Sequence, residues 1–227
     1  MKRQIGDKAV AGQRSQRDKH CRAHAYISCM RHFILLLAGF LIVNLAYGAD
    51  GPCVDPQQSH FRIQVGTGGL FGAFAHNHLI EAQKITGCAT LNPADLTRSS
   101  IRLVFTAADL RVMDPKESAK NRAEIQKTME TEVLRVTEYP EVVFESTSIE
   151  QGATSEQLLV RGKLTIRGST QQVVIPVTVS RMGGGSYRAR GTYAFKQTAF
   201  GIKPVQIGGG TIKVKDELQT EFDILLK

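Results

Sequence analysis

Long apolar runs are almost absent from the sequence. The longest, Phe33–Leu45, extends to about fifteen residues at most, fewer than the roughly 20 that a membrane-spanning helix needs. A short polar segment precedes it, and the small residues Ala46 and Gly48 follow it, which is the pattern of a secretory signal peptide cut after Gly48. We therefore expect residues 1–48 to be an N-terminal extension plus signal peptide, and residues 49–227 to form a periplasmic domain. An uncleaved membrane anchor is the alternative.

The first 29 residues also lack apolar periodicity. Met30 gives a signal peptide of more ordinary length than Met1, so we expect the true start at Met30. No cysteine suited to lipid attachment follows the apolar run, because Cys53 is preceded by the residues Asp-Gly-Pro at 50–52. A lipoprotein anchor is therefore disfavoured.

Excess positive charge is missing from the mature chain. Residues 1–48 carry eight of the 29 basic and two of the 21 acidic residues, which leaves a net charge of +2 in place of +8. A nucleic-acid partner thus loses its main support. The remaining residues, about 180, fit one domain with a sizeable core.

Cysteine is scarce, since only Cys53 and Cys88 remain after the predicted cleavage. An oxidising compartment would allow the two to form a disulfide. The alternative is a buried, unreactive Cys88 in a packed strand. The spacing of the two cysteines does not decide between these interpretations.

Histidine is absent after His78, which excludes a nuclease of the His-Asn-His type. A Ser or Cys nucleophile with an orienting His cannot be recognised either, so we predict no enzyme and no catalytic residues. His76 and His78 share a face if their segment is extended. They could bind a metal, contact a ligand head group, or be hydrogen-bonded structural residues, and these alternatives stay open.

Alternation of apolar and polar residues with period two dominates the mature chain. It is clearest in residues 211–227, where the even positions 212, 214, 218, 222, 224 and 226 are apolar. The pattern predicts eight strands, at residues 60–66, 84–91, 100–106, 141–150, 158–168, 171–180, 186–197 and 211–227. An all-β, extended antiparallel eight-stranded barrel would leave no exposed edge and could retain room for one ligand. The long C-terminal pattern indicates one strand or two with a bend near Asp216.

One segment departs from this alternation and predicts an α-helix over about residues 115–134. Asp114 fits the N-cap position, Pro115 the first helical position, and Glu117 the third, as in a capping box. A single apolar stripe then runs along the helix, at Ile125, Met129 and Val133. We expect the helix to lie across the barrel.

Several motifs of the chain resemble those of a known family. The most specific are "EYPEVVFESTSI", "GKLTIRGST" and the triplet Phe-Gly-Ile at 200–202. Over about residues 55–227 the sequence resembles the YceI-like family of periplasmic polyisoprenoid-binding proteins. The resemblance implies a lipocalin-like barrel whose apolar tunnel holds a polyisoprenoid, quinone or similar lipid. It implies a carrier with no catalysis and no obligatory cofactor beyond a bound lipid.

We expect large apolar side chains to line such a tunnel, since each buried methylene contributes about 0.8 kcal/mol to binding. Polar groups at the mouth would set the preference for a head group. The expected partners are an apolar lipid or quinone, with transient membrane contact and a homodimer as further expectations. The alternative function is a periplasmic metal-binding or stress-related protein that uses His76 and His78. The predicted tunnel residues are Phe74, Leu79, Leu103, Phe105, Phe144, Tyr187, Tyr193, Phe195, Phe200 and Phe222.

Overall fold

A computed structural model describes residues 51–68 and 77–227. The predicted signal peptide and the predicted site residues Phe74 and His76 lie outside these ranges. Within them the helix α1 spans Ala119–Thr128 and continues as a wider, π-type turn over Met129–Val133. The strands in these ranges are β1 (His60–Gly68), β2 (His78–Ala82), β3 (Ile85–Thr90), β4 (Ser100–Thr106), β5 (Leu110–Val112), β6 (Glu141–Gln151), β7 (Gln157–Ile166), β8 (Ser169–Arg181), β9 (Tyr187–Lys196), β10 (Gln206–Ile207) and β11 (Ile212–Leu226).

All strand pairs are antiparallel and form one curled sheet. Its order is β3-β4-β6-β7-β8-β9-β11-β1-β2-β5, and β10 pairs with β11. The two ends of this order are joined along the chain, because β2 leads into β3 over two residues and β4 into β5 over three. The amide of Gln83 donates to the carbonyl of Asp109 at 3.0 Å, which holds the two bends together. The sheet therefore wraps around a common interior.

The predicted antiparallel all-β fold with one helix is confirmed, but the predicted count of eight strands is wrong. Eleven strands lie in the described ranges. The additional ones, β2, β5 and β10, have five, three and two residues. Each is too short to show a period of two, and β2 and β5 continue β3 and β4 beyond a bend.

The C-terminal strand follows the predicted alternation closely. β11 is a single strand of 15 residues rather than two. Its pairing with β1 is irregular near Asp216. A step of two residues on β1, from Val65 to Thr67, corresponds to a step of four residues on β11, from Leu218 to Val214. Asp216 lies in this irregular stretch and accepts hydrogen bonds from the backbone and hydroxyl of Thr198.

The helix begins later than the sequence predicts. Ser118, not Asp114, is the N-cap, and its hydroxyl accepts from the amide of Asn121 at 3.1 Å. Asp114 cannot serve as the cap because its carboxylate faces His78 and the amide of Lys116 instead. The apolar stripe is retained, with Met129 buried in the core.

The N-terminal segment of the domain is fixed to the sheet at two points. Cys53 and Cys88 form a disulfide with an S–S distance of 2.07 Å, which agrees with the first of the two interpretations of these residues. The buried carboxylate of Asp55 contacts the ammonium group of Lys227 at 2.6 Å. Across the described ranges, no helix has the length and apolar character to cross a membrane.

Candidate functional site: an apolar cavity inside the curled sheet

The curled sheet encloses a cavity of about 820 Å³. Its wall is built from alternate residues of the strands, because successive side chains of a strand point to opposite faces. On β1 these are Phe61, Ile63, Val65 and Thr67. On β11 the lining residues are all even-numbered, as the sequence pattern predicted: Ile212, Val214, Leu218, Thr220, Phe222 and Ile224.

The cavity is long and ends in packed apolar residues. From Ile212 to Ile224 it follows twelve steps of β11, or roughly 40 Å of strand at about 3.3 Å per residue. Two residues beyond the lining positions Ile224 and Val160 lie Leu226 and Leu158, which are buried in the core. The exposed lining residues Asn121, Glu124 and Glu132 belong to α1 and the turn that follows it, so a ligand would enter at the end that the helix covers, which we call the open end.

Two glycines allow aromatic rings to lie against the wall. A Cβ atom at Gly191 would lie 2.5 Å from Cζ of Phe222, and one at Gly162 would lie 2.6 Å from the ring of Phe144. Both distances are far below van der Waals contact. The missing side chains therefore let Phe144 and Phe222 lie close to the backbone of the neighbouring strands and leave the interior free.

Polar atoms inside the cavity are few. Thr220 is buried, and its hydroxyl donates to the carbonyl of Tyr193 at 2.9 Å. Burial raises the pKa of the Tyr193 phenol above its ordinary value, so this hydroxyl stays neutral. The interior consequently offers little to a charged group and favours an apolar chain.

The helix brings polar residues to the open end. Ile125, Met129 and Val133 of the predicted stripe line the cavity, together with residues on an adjoining helical face. That face recurs at intervals of three or four residues, as expected for one side of a helix. Its members are Asn121, Glu124, Thr128 and Glu132, and Glu117 lines the cavity from just before the N-cap Ser118.

His78 belongs to a compact group of ligand-type side chains at the same end. Its Nδ1 lies 3.1 Å from Oδ2 of Asp114, which is only 3% exposed. Each of His78, Asp114 and Glu117 has a potential metal-ligating atom within 4.8 Å of those of the other two. Such a group could hold a cation or meet a polar head group. The second predicted histidine of this site, His76, lies outside the described residues.

Six of the predicted tunnel residues line the cavity. They lie on four strands and are brought together by the curl of the sheet. These residues are Leu103, Phe105, Phe144, Tyr193, Phe195 and Phe222.

Three other predicted tunnel residues do not line the cavity. Leu79 lies between His78 and Ile80, which line the cavity, so alternation directs its side chain to the other face. Tyr187 lies opposite Leu226 at the end of the β9–β11 pairing, beyond the cavity floor. Phe200 is buried in a separate cluster with Ile166 and Ile202 and packs edge-on against Phe195.

The sequence reasoning missed the polar residues that the helix contributes. Glu117, Glu124 and Glu132 are spaced by seven and eight residues, so they share a face that adjoins the apolar stripe. This spacing is visible in the sequence. It does not indicate a binding site by itself, because charged helical residues usually face solvent.

Known proteins share this architecture. The sequence model of a family described as YceI-like domain matches residues 53–226. The fold is similar to the crystal structure of Burkholderia cenocepacia BcnA, with a TM-score of 0.62 and 20% identity over 77% of this chain and 99% of that one. It is also similar to a polyisoprenoid binding domain from Saccharophagus degradans, with a TM-score of 0.56 and 10% identity over 78% and 98% of the two chains. A Campylobacter jejuni YCEI protein matches with a TM-score of 0.50 and 13% identity over 65% and 84%. No curated protein matches the chain.

Proposed function

Because the chain belongs to the YceI-like family, we propose that it binds one long apolar lipid, a polyisoprenoid or an isoprenoid quinone, and catalyses no reaction. The observation that carries this proposal is the cavity of about 820 Å³, whose wall is mostly apolar side chains from the strands. A domain of similar fold from Saccharophagus degradans is described as polyisoprenoid binding, which supports the same class of ligand here.

The affinity would come from burial of the lipid chain. Each methylene group that leaves water contributes about 0.8 kcal/mol, so a chain of several isoprene units gains enough to outweigh the cost of ordering it. No charged contact inside the cavity is needed. Specificity would then depend on the length of the cavity and on the polar residues at its open end.

The protein would act as a carrier in the periplasm. The predicted signal peptide in residues 1–48 supports export, and the disulfide between Cys53 and Cys88 fits an oxidising compartment. An enclosed cavity with one open end suits a protein that takes up a lipid and releases it again.

Solvent extraction tests this function. The mature chain, residues 49–227, is purified from a periplasmic extract and treated with organic solvent, and the extract is analysed by mass spectrometry. We expect one dominant apolar lipid that is absent from an unrelated periplasmic protein purified in parallel. An empty extract, together with no uptake of added quinone or polyisoprenoid, would contradict the proposal.

A metal site is the second candidate function, because His78, Asp114 and Glu117 offer ligand atoms within 4.8 Å of one another. Imidazole and carboxylate groups are ligands that zinc accepts. In this case elemental analysis should find stoichiometric metal that disappears when His76 and His78 are both changed to Ala. His60→Ala is the matched control, since His60 contacts only Glu81 among the described ion pairs. Metal content that does not respond to the double change would exclude this candidate.

A further inference from the structure

We propose that the open end of the cavity selects a lipid with a positively charged, hydrogen-bond-donating head group, such as a primary amine. The proposal rests on the lipid-binding function above and narrows its ligand class. The apolar cavity has room for the lipid chain, whatever charges lie at its open end. The charges at the mouth determine which head group binds favourably there.

The charged residues that line the cavity have one sign. Glu117, Glu124 and Glu132 are present, whereas neither Lys nor Arg occurs among the lining residues of the described ranges. Residues 69–76, which lie outside those ranges, contain neither Lys nor Arg in the sequence. Arg122 does not line the cavity but donates to the backbone carbonyls of Asp114 and Glu117, so the open end offers its negative charge mainly at Glu124 and Glu132.

The carboxylates at the mouth differ in their contacts from the nearby carboxylate of Glu130. Glu130 contacts Arg111 at 3.6 Å and accepts a hydrogen bond from Gln126, and it does not line the cavity. By contrast, Glu124 and Glu132 are exposed and have no ion pair with any residue that the structure describes. They are free to accept hydrogen bonds from a bound head group.

The side chains at the mouth are mainly hydrogen-bond acceptors. The carboxylates of Glu117, Glu124 and Glu132 line the cavity there, and the Asp114 carboxylate lies 3.1 Å from Nδ1 of His78. An ammonium group satisfies such acceptors, and the carbonyl oxygens of a quinone do not.

An anionic head group is disfavoured by the same charges. A phosphate at the mouth would lie near several carboxylates with no lining Lys or Arg to compensate, and like charges repel. Salt weakens such interactions between exposed charges, so the preference should fall at high ionic strength.

Three ligands with the same tail test the proposal: geranylgeranylamine, geranylgeraniol and geranylgeranyl phosphate. Their affinities for the mature chain are measured by displacement of an apolar fluorescent probe. We expect the amine to bind about fivefold more tightly than the phosphate at low salt, because three charge contacts of about 0.3 kcal/mol each amount to roughly that factor. The alcohol should lie between them, and the difference should shrink at high salt.

Two double variants test whether the glutamates at the mouth cause the preference for the amine. Glu124→Gln with Glu132→Gln should reduce the preference for the amine over the phosphate at least threefold, an expectation of about 0.3 kcal/mol per charge. Glu156→Gln with Glu221→Gln removes the same charge from exposed positions that do not line the cavity, and should leave the preference unchanged.

The outcomes separate this proposal from the function on which it rests. Equal affinity for the three ligands, or tighter binding of the phosphate, would overturn the head-group preference and leave lipid binding intact. Phosphate binding that requires added zinc or calcium would also overturn it and would identify the carboxylates as metal ligands. If none of the three ligands binds, the lipid-binding function itself fails.

Discussion

At the scale of single residues, two arginines hold one carboxylate on the outer face of the sheet. Nε of Arg188 lies 2.6 Å and Nε of Arg190 lies 3.0 Å from the oxygens of Asp223. Partial burial alone would raise the pKa of Asp223, but hydrogen bonds from Arg188 and Arg190 outweigh it and lower the pKa below its ordinary value of 3.8. The folded state thus binds fewer protons at this site than the unfolded chain.

The stability that Asp223 contributes should depend on pH. Because its folded pKa is lowered, the contribution is present above 3.8 and is lost as the pH falls through the folded value. We expect Asp223→Asn to lower the free energy of unfolding by about 1 kcal/mol at neutral pH and by much less in acid. Urea unfolding across this pH range measures the difference. Glu221→Gln on the same strand is the control. If Asp223→Asn lowers the free energy of unfolding as much in acid as at neutral pH, the lowered pKa of Asp223 does not explain its contribution to stability.

Gly191 is the residue whose lack of a side chain matters most directly to the cavity wall. In Gly191→Ala the new methyl group would meet Phe222 and the carbonyl of Pro176, both at 2.5 Å. We expect a loss of about 1–3 kcal/mol in the free energy of unfolding, as for other overpacked sites. Gly183→Ala should stay within about 0.5 kcal/mol, since nothing lies within 4 Å of its Cβ position. Equal stability of the two variants in denaturant titrations would show that Phe222 does not rest on this glycine.

At the scale of elements, the disulfide fixes the N-terminal segment to β3. Cys53 and Cys88 are separated by 35 residues, so the bond restricts a long loop in the unfolded chain. We expect the Cys53→Ser, Cys88→Ser double variant to lose about 3–4 kcal/mol of stability in urea unfolding. A reducing agent should destabilise the parent protein similarly and leave the double variant unaffected. Unchanged stability of the reduced parent would contradict a stabilising disulfide.

The elements that the sequence predicts well are those with a long pattern. β11 shows one phase of alternation over most of its length, and six of its eight even positions line the cavity. β2 and β5 could not be predicted, because strands of five and three residues next to a bend carry no period. The helix cap was misplaced because Asp114 and Ser118 both suit a cap, and only the contact with His78 distinguishes them.

The sequence predicts residues of the site only on strands with a clear alternation of apolar and polar residues. Phe105 and Phe144 belong to clear strand patterns, and both line the cavity. Phe200 does not line it, because it lies in a turn, and an apolar residue in a turn can pack on either side of a sheet. The contribution of Glu117 and Glu124 depends on where the helix docks, which is a tertiary property.

At the scale of the whole molecule, the curl of the sheet creates the cavity. Strands far apart in sequence each contribute a few side chains to one continuous apolar surface, and the helix adds polar groups at its open end. The family relationship supports the proposed class of ligand, and the cavity offers space for it. The central claim is therefore that an apolar chain lies inside this cavity.

Uptake of an isoprenoid by two variants of one strand tests that claim most directly. Ala189 lines the cavity, and Ala194 is exposed on the opposite face of β9. Circular dichroism first confirms that Ala189→Phe and Ala194→Phe are folded, and the affinity of each for geranylgeraniol is then compared with that of the parent. We expect Ala189→Phe to bind at least tenfold more weakly, because its ring occupies space that the lipid chain needs, and Ala194→Phe to bind like the parent. Parent-like binding by folded Ala189→Phe would contradict the account.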